Sequence, residues 1–292
     1  MDRVLADPQR VLLATDFDGV LAPIVSDPAQ AKAHPDAVRV LGRLAGSLVA
    51  VVIVTGRPVR DVLRLGAFEG AAGLQRLRIR GQYGIEQWIA GSGDVIAPDP
   101  HPGIADARPA VVELLARLDL ADVHIEDKGR ALGVHVRRLS DPQRALAQLR
   151  EPLSALAAEH DLVVEPGKNV FELRAPGMDK GVAVNSLLDE PELSGVHTVI
   201  YAGDDLGDLA AFDAIERHRG PDGHAAGAGL LLGVAGNPAE GRNELLDRAD
   251  LVLSSPDELV SWLDQLADAL AAPAPAPGGT LADRANRGTT ER

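Results

Sequence analysis

The stretch Thr15-Asp16-Phe17-Asp18-Gly19-Val20-Leu21-Ala22-Pro23 follows the apolar run Val11-Leu12-Leu13-Ala14. An unbroken apolar run of this kind is typical of a strand that is buried on both faces of a parallel sheet. The carboxylates of Asp16 and Asp18 then come just past the carboxyl end of that strand, where open α/β sheets bind ligands. The sequence therefore predicts a catalytic or metal-binding role for both residues, with an ordinary Asp-x-Asp-Gly turn as the alternative.

The same strand pattern recurs along the chain. Further buried strands are predicted at residues 48–54, 77–80, 196–202, 230–234 and 250–253, with helices at 36–44, 59–65 and 208–215 between them. This alternation indicates an α/β fold with crossover connections and a doubly wound parallel sheet. Polar signatures follow three of the predicted strands, at Asp16-Phe17-Asp18, Thr55-Gly56-Arg57 and Gly203-Asp204-Asp205. One edge of the sheet is therefore expected to carry the chemistry.

Residues 105–175 have a different pattern, which predicts an α+β cap domain inserted into the first domain. Helices are predicted at 105–118 and 142–160, and strands at 123–128, 132–137, 162–165 and 170–174. Apolar and polar residues alternate in these strands, so the sheet has one apolar face for the helices and one polar face, which we expect to be open to a ligand. The predicted domains are a discontinuous Rossmann-like core at 9–104 and 176–270, the cap at 105–175, and a disordered tail at 271–292.

The composition narrows the classes of function. Of the 292 residues 46% are hydrophobic, enough for a sizeable core, and the net charge of −14 argues against nucleic acid or an anionic membrane as a partner. The lack of cysteine excludes disulfides, thiolate nucleophiles and cysteine zinc sites. We find no signal-peptide pattern and no apolar run of membrane-spanning length, so we expect a cytoplasmic protein, with a monomer favoured.

The polar signatures supply what the hydrolysis of a phosphate monoester requires, namely a nucleophile, a metal and fixed positive charge. Asp16 is placed to attack, while Thr55 and Lys180 can contact phosphoryl oxygens. Mg²⁺ prefers octahedral oxygen ligation with few protein carboxylates, which Asp16, the carbonyl of Asp18 and Asp204 can supply. The sequence therefore predicts Mg²⁺ as the cofactor.

These signatures together resemble the four-motif pattern of haloacid dehalogenase-superfamily phosphatases. The motifs occur in the order Asp16-x-Asp18-Gly19, Thr55-Gly56-Arg57, Lys180 and Gly203-Asp204-Asp205-x-x-Asp208. The resemblance implies that Asp16 is a nucleophile that forms an aspartyl-phosphate and that Asp18 is the general acid and base. It also implies that Thr55 and Lys180 hold the phosphoryl group. The long insertion after Arg57 resembles the subclass whose cap follows the second motif.

The resemblance also implies a magnesium loop near the end of the core domain. The loop contains Asp204, Asp205 and Asp208. Asp204 is implied to be a metal ligand together with Asp16 and Asp18 of the first motif, and Asp205 and Asp208 are supporting residues. Gly207 and Leu209 stand where the family commonly has Thr and Glu. Because the aspartates are all present, we expect the chemistry to be retained and only the packing of the loop to differ.

Within this superfamily the chain resembles the trehalose-6-phosphate phosphatase family. The motifs that carry this resemblance include Gly81-Gln82-Tyr83-Gly84-Ile85-Glu86, Ile125-Glu126-Asp127-Lys128-Gly129, His135-Val136-Arg137, Glu165-Pro166-Gly167-Lys168 and Phe171-Glu172-Leu173-Arg174. The resemblance implies Mg²⁺-dependent hydrolysis of trehalose 6-phosphate to trehalose and phosphate. The substrate-binding residues are then predicted to be Arg57, Glu126, Lys128, Arg137, Lys168 and Glu172.

Several alternatives stay open at this point. The catalytic motifs do not separate this substrate from sucrose phosphate or a mannosyl phosphate, so another capped sugar phosphatase is the nearest rival. A non-catalytic module that binds sugar phosphates is disfavoured, because such a module needs no nucleophile, and a phosphomutase is weaker still. The charged residues of the cap strands also have an alternative interpretation, as solvated strand faces with weak surface ion pairs.

Overall fold

The strands of the protein form two separate sheets. The computed structural model describes residues 2–25, 27–167, 169–219, 227–235 and 244–272, and within these ranges one sheet has seven strands and the other has four. The strands, in chain order, are β1 (Val11–Thr15), β2 (Ala50–Val54), β3 (Leu77–Gly81), β4 (Glu86–Ile89), β5 (His124–Asp127), β6 (Ala131–His135), β7 (Val163–Gly167), β8 (Val170–Arg174), β9 (Thr198–Gly203), β10 (Ala228–Val234) and β11 (Leu251–Leu253).

The larger sheet has the strand order β11-β10-β9-β1-β2-β3-β4. Neighbouring strands are parallel, except that β4 runs antiparallel to β3. The central strand is β1, whose last residue Thr15 pairs with Ile53 of β2 and with Ala202 of β9. The carboxyl ends of β1, β2 and β9 therefore meet at one edge, and the predicted doubly wound sheet is confirmed.

Helices cover both faces of the larger sheet. The described helices are α1 (Asp2–Ala6), α2 (Ala37–Ser47), α3 (Val59–Gly66), α4 (Pro102–Arg117), α5 (Pro142–Glu159), α6 (Lys180–Leu188), α7 (Leu209–Arg219), α8 (Glu244–Arg248) and α9 (Pro256–Ala271). Leu13 of β1 packs in a cluster with α2, α3 and α9, whereas Leu12 and Ala14 pack in a cluster with α6 and α7. Because helices cover both faces, every residue of β1 is buried. None of the helices in the described ranges is long and apolar enough to cross a membrane.

The smaller sheet is antiparallel and has the order β5-β6-β8-β7. Its apolar face packs against α4 and α5, as the alternating pattern predicts. Leu132 and Val134 of β6 and Phe171 and Leu173 of β8 are buried there, together with Leu149 of α5. An additional antiparallel sheet with two helices is therefore present, while the domain boundaries at 105 and 175 stay predictions.

Some elements of the fold differ from the sequence-based prediction. The sequence-based prediction omits β4, because the four residues of this edge strand contain no apolar run. It also omits α9, although the sequence has a capping residue for this helix: Oγ of Ser255 accepts from the N–H of Glu258 at 3.2 Å. The predicted strand at 132–137 begins and ends earlier, as β6. The predicted tail begins at Ala271, which is the last residue of α9, and residues 273–292 lie outside the described residues.

Candidate phosphatase site

Asp16 lies directly after the central strand and is only 5% exposed. Its N–H donates to the carbonyl of Ala202 on β9 at 2.9 Å, which continues the sheet pairing one residue beyond β1. Its Oδ1 accepts a hydrogen bond from the N–H of Phe17 at 2.6 Å, and its Oδ2 accepts one from Nζ of Lys180 at 2.7 Å. The carboxylate is therefore fixed at the edge of the sheet that the sequence predicts to carry the chemistry.

Gly19 allows the loop after Asp16 to approach the acidic loop after β9. Its φ of 72° lies in the left-handed region that favours glycine. A Cβ atom at this position would lie 2.0 Å from Oδ2 of Asp204, which is closer than two such atoms can approach. Any other residue would therefore strain the backbone and displace Asp204. An ordinary Asp-x-Asp-Gly turn would require the left-handed backbone at Gly19 but not the close approach to Asp204.

Lys180 begins α6 and extends into the cluster of carboxylates. The start of the helix is fixed by Asp179, whose Oδ1 accepts from the N–H of Val182 at 2.8 Å. Nζ of Lys180 donates to Oδ2 of Asp16 and to Oδ1 of Asp208, both at 2.7 Å. Burial alone would lower the pKa of Lys180, but the charges of Asp16 and Asp208 outweigh it and hold this pKa well above its ordinary value. Lys180 is therefore a fixed positive charge beside Asp16.

Asp208 organises the loop that follows β9. It is fully buried, and its Oδ1 also accepts from the hydroxyl of Tyr201 at 2.6 Å. Its Oδ2 accepts from the N–H of Asp204 at 3.1 Å and, at 3.4 Å, from the N–H of Asp205. Asp205 in turn accepts from the N–H of Gly207 at 2.9 Å. Asp205 and Asp208 thus fix the backbone that carries Asp204.

The two departures from the family pattern leave this loop intact. Gly207 lies in a single turn of 3-10 helix, Leu206–Asp208, and Leu209 is the first residue of α7. The bond to Asp205 comes from the backbone of Gly207, so a side chain at this position is not needed for it. Leu209 packs against the hydrophobic cluster on that face of the larger sheet. A glycine and a leucine are therefore compatible with the loop.

Three carboxylates converge at a site that fits a divalent cation. One oxygen each from Asp16, Asp204 and Asp208 lies within 4.8 Å of the others. Burial raises the pKa of Asp16 to about 8 in spite of the charge of Lys180. Burial and the charge of Asp205 likewise raise the pKa of Asp204 well above its ordinary value. A cation would stabilise the ionised carboxylates, and their hard oxygen atoms are suitable ligands for Mg²⁺.

Arg57 holds the carboxylate of Asp18. Its Nε donates to Oδ2 of Asp18 at 2.5 Å and its Nη2 donates to Oδ1 at 2.7 Å, which makes a bidentate pair. Burial would lower the pKa of Arg57, but the hydrogen bond and charge of Asp18 raise it above its ordinary value. Thr55, which follows β2, is buried, and its Oγ1 accepts from the N–H of Arg57 at 3.2 Å. Arg57 is thus paired with Asp18, whereas the sequence predicts it to contact substrate.

Lys128 and Glu172 come together on the cap. Nζ of Lys128 donates to Oε1 of Glu172 at 2.5 Å, and the hydroxyl of Tyr83 from the larger domain donates to Oε2. Glu172 is only 5% exposed. The prediction of an open polar face is therefore wrong at Glu172, because the turn after β3 that contains Tyr83 covers it. The alternative of a solvated strand face is wrong at this residue for the same reason.

The other predicted substrate-binding residues are distributed over the cap. Glu126 is not part of the Lys128–Glu172 pair, because its Oε2 lies 2.8 Å from Nε2 of His135. The hydrogen bond from His135 lowers the pKa of Glu126 to about 2. Nη1 of Arg137 donates to the carbonyl of Val25 at 3.4 Å, which joins the cap to the chain just after the Asp16 loop. Lys168 lies outside the described residues.

Both tyrosines of the chain belong to the site, and the sequence-based prediction assigns a role to neither. Tyr201 donates to Asp208, and Tyr83 donates to Glu172. Tyr201 lies inside the apolar run of β9, where it is predicted to be a core residue. Tyr83 lies within a motif that carries the family resemblance, so the sequence does signal its importance. The sequence does not indicate that Glu172 is its hydrogen-bond partner.

The chain is similar to known trehalose phosphatases. The family model described as trehalose-phosphatase matches residues 14–228. The trehalose-phosphate phosphatase of Mycolicibacterium paratuberculosis is 30% identical over 272 residues, which are 87% of this chain and 61% of that protein. The one of Mycobacterium avium is 28% identical over 270 residues, again 87% of this chain and 61% of that protein. The chain therefore spans 61% of the length of these relatives.

Solved structures share the fold at low sequence identity. The C-terminal domain of C. albicans trehalose-6-phosphate phosphatase has a TM-score of 0.73 at 22% identity, with 91% of this chain and 94% of that chain covered. A haloacid dehalogenase-like hydrolase from Bacteroides thetaiotaomicron has a TM-score of 0.56 at 16% identity, with 87% and 98% covered. The family model extends over well more than half of the chain, from the central strand to the start of β10. The chain therefore belongs to the trehalose-phosphatase family and has the haloacid dehalogenase-like fold.

Proposed function

We propose that this protein is a Mg²⁺-dependent phosphatase that hydrolyses trehalose 6-phosphate to trehalose and inorganic phosphate. The observation that carries the proposal is the buried contact between Asp16 and Lys180, at 2.7 Å, inside a cluster of carboxylates. A nucleophile with a fixed positive charge beside it suits attack on an anionic ester. A cytoplasmic location is part of the proposal and rests on the sequence alone.

Asp16 acts as the nucleophile in this proposal. One oxygen of its carboxylate bonds to phosphorus while the bond between phosphorus and the sugar oxygen breaks, and Asp18 protonates that leaving oxygen. In the second step a water molecule gives a proton to Asp18 and bonds to phosphorus, and the bond to Asp16 breaks. Phosphate and the free carboxylate of Asp16 are the products. In the structure both oxygens of Asp18 accept from Arg57, so one of these hydrogen bonds has to break before Asp18 can carry the proton that it donates.

The phosphoryl oxygens are held by Thr55 and Lys180, and the metal by Asp16, Asp204 and the carbonyl of Asp18. Bound Mg²⁺ would neutralise negative charge on the phosphoryl group and orient it toward Asp16. Asp208 is near enough to join the ligands, but it already accepts two hydrogen bonds on each oxygen, whereas each oxygen of Asp16 accepts one. We therefore assign a supporting role to Asp208.

The sugar is held by charged residues of the cap. Its proposed ligands are Glu126, Lys128, Arg137, Lys168 and Glu172, with Arg57 at the boundary to the phosphate site. Charged side chains form the strongest hydrogen bonds to hydroxyl groups, and each carboxylate offers about four lone-pair positions. Lys128 and Tyr83 each donate one hydrogen bond to Glu172, which leaves about two of the four acceptor positions on the carboxylate for sugar hydroxyls.

Phosphate release from a panel of sugar phosphates tests the proposal. With Mg²⁺ present, we expect kcat/KM to be highest for trehalose 6-phosphate, with sucrose 6-phosphate, glucose 6-phosphate and a mannosyl phosphate well below it. A higher value for any of the others would assign the cap to a different sugar. No release from any substrate, by a folded protein, would favour a module that only binds sugar phosphates.

A further inference from the structure

The turn Gln82–Gly84, between β3 and β4, has an unusual backbone. Gln82 and Tyr83 have φ angles of 47° and 59°, in the left-handed region that non-glycine residues seldom adopt, and Gly84 has a φ of 95°. Such conformations persist where the surrounding structure determines them, and they are concentrated at functional sites. A Cβ atom at Gly84 would lie 2.7 Å from Cβ of Ala183 on α6. The turn is therefore packed tightly against the helix that begins with Lys180.

One side of this turn is bonded to the motif that contains Thr55. The N–H of Gln82 donates to the carbonyl of Arg57 at 2.9 Å, and the N–H of Tyr83 donates to the carbonyl of Thr55 at 2.9 Å. A Cβ atom at Gly56 would lie 2.7 Å from the hydroxyl oxygen of Tyr83. The side chain of Tyr83 therefore lies directly against the phosphate-holding motif.

The other side of the turn contacts the cap. The hydroxyl of Tyr83 donates to Oε2 of Glu172, and the guanidinium carbon of Arg174 lies 4.2 Å from the centre of the tyrosine ring. Nε2 of Gln82 donates to the carbonyl of Lys128 at 2.6 Å. Burial and the charge of Glu172 raise the pKa of Tyr83 well above its ordinary value, so the hydroxyl keeps its proton and donates it to this bond.

We propose that Tyr83 is a positioning residue, which fixes the carboxylate of Glu172 and sets the distance between the sugar site and the phosphate site. This inference rests on the proposed function, because it takes Glu172 to be a sugar ligand. Two groups fix the Glu172 carboxylate, Lys128 at Oε1 and Tyr83 at Oε2. Without the hydroxyl of Tyr83, the carboxylate keeps the ion pair with Lys128 but is free to rotate about it.

The test compares two tyrosine variants on two substrates. For Tyr83→Phe, we expect the ratio of kcat/KM for trehalose 6-phosphate to kcat/KM for a small aryl phosphate to fall about tenfold, because one hydrogen bond to a charged group is lost. Tyr201→Phe is the matched control, because it removes the other tyrosine hydroxyl, which contacts Asp208. It should lower kcat/KM for both substrates and leave their ratio within about twofold of the parent value.

A double variant shows whether Tyr83 acts through Glu172. In a Glu172→Ala background, Tyr83→Phe should change the substrate ratio by less than about twofold, because the carboxylate that Tyr83 positions is then absent. A ratio that Tyr83→Phe leaves unchanged in the parent, or an additive effect in the double variant, would overturn the proposal. If Tyr83→Phe lowers the melting temperature and lowers kcat/KM equally for both substrates, the proposal is also overturned, and Tyr83 then has a purely structural role.

The parent protein separates this inference from the proposed function. If the parent does not hydrolyse trehalose 6-phosphate, the proposed substrate is wrong whatever the variants do. The ratio of kcat/KM values is then measured with the sugar phosphate that the parent hydrolyses fastest in place of trehalose 6-phosphate. The same fall of this ratio in Tyr83→Phe supports a positioning role, and an unchanged ratio contradicts it.

Discussion

The proposed phosphate site and the proposed sugar site on the cap are built in different ways. At the phosphate site, Asp16, Thr55 and Asp204 each follow a strand of one parallel sheet, so the topology of that sheet brings them together. On the cap, Glu172 depends on a partner from the other domain, Tyr83, which is 89 positions away in the chain. The first site can therefore be located from the order of motifs, whereas the second requires the contact between two domains.

Exposure to water separates Glu126 from the buried phosphate site, whereas Glu172 of the cap is itself only 5% exposed. Asp16 and Lys180 are nearly fully buried, whereas 37% of the side chain of Glu126 is exposed. We expect changes in the buried phosphate site to abolish activity on every phosphate monoester. Changes at Glu126 should instead alter the choice of substrate, and each prediction below tests one part of this contrast.

The largest effect is expected for Asp16→Asn. The substitution removes the charge of the nucleophile at nearly constant volume, so turnover of both trehalose 6-phosphate and an aryl phosphate should fall below roughly a thousandth of the parent rate. Steady-state phosphate release measures this, and circular dichroism checks the fold. Asp99→Asn, at an exposed loop carboxylate, is the matched control and should keep the parent rate. A folded Asp16→Asn protein with more residual activity would remove Asp16 from the role of nucleophile.

Removal of the metal should also affect both substrates equally. EDTA should abolish turnover, excess Mg²⁺ should restore it, and Ca²⁺ should support little, because the larger ion takes more ligands and would displace the carboxylates. The readout is the rate of phosphate release after dialysis against each ion in turn. Full activity in metal-free buffer would contradict a metal site at Asp16 and Asp204.

Alanine variants of Glu126 and Glu172 should distinguish an effect on the choice of substrate from an effect on the stability of the fold. For Glu126→Ala we expect kcat/KM for trehalose 6-phosphate to fall about ten- to a hundredfold, because a hydrogen bond to a charged group is lost, with a much smaller loss for an aryl phosphate. Glu172→Ala should in addition lower the melting temperature by several degrees, because it leaves the largely buried ammonium group of Lys128 without this partner.

Equal losses for both substrates in Glu126→Ala would contradict the assignment of this residue to the sugar. An unchanged melting temperature in Glu172→Ala would show that the ion pair with Lys128 does not stabilise the folded state. The comparison requires no external reference, because each variant is measured with both substrates and by thermal unfolding.

The smallest expected effect concerns acid stability. The pKa of Glu126 is lowered from 4.5 to about 2, first by its hydrogen bond with His135, so the ionised carboxylate stabilises the folded state. This contribution is present above pH 4.5 and is lost as the pH falls toward 2. The difference in free energy of unfolding between the parent and Glu126→Gln should therefore shrink over that range. Urea unfolding at several pH values measures it, and a constant difference would contradict the lowered pKa.

The sequence correctly predicts that the polar signatures meet at one edge of the larger sheet, because the relevant signals are local. An apolar run followed by a carboxylate marks the end of a buried strand, and this pattern places Asp16 and Asp204 correctly at one edge. Gly19 is also recognisable as a turn residue, although its close approach to Asp204 appears only in the fold.

Other contacts could not be predicted because they join distant parts of the chain. The pair of Asp18 with Arg57 depends on the register of β1 and β2, and the sequence offers no signal for which carboxylate the guanidinium selects. The burial of Glu172 depends on the turn at Gln82–Gly84, whose left-handed backbone is unusual for glutamine and tyrosine. Alternation in β8 correctly places Glu172 on the polar face but contains no information on what covers that face.

The most direct test of the account is to identify the atom that receives the phosphoryl group. Asp18→Asn should slow the second step, because the water molecule then lacks its base, while an aryl phosphate needs little help from an acid in the first step. The phosphorylated enzyme should therefore accumulate when this variant is mixed with an aryl phosphate and Mg²⁺ and quenched in acid. Mass spectrometry of the peptides should find one phosphoryl group on Asp16, and none when Asp16→Asn is added to the same protein. A phosphoryl group on any other residue would contradict Asp16 as the nucleophile.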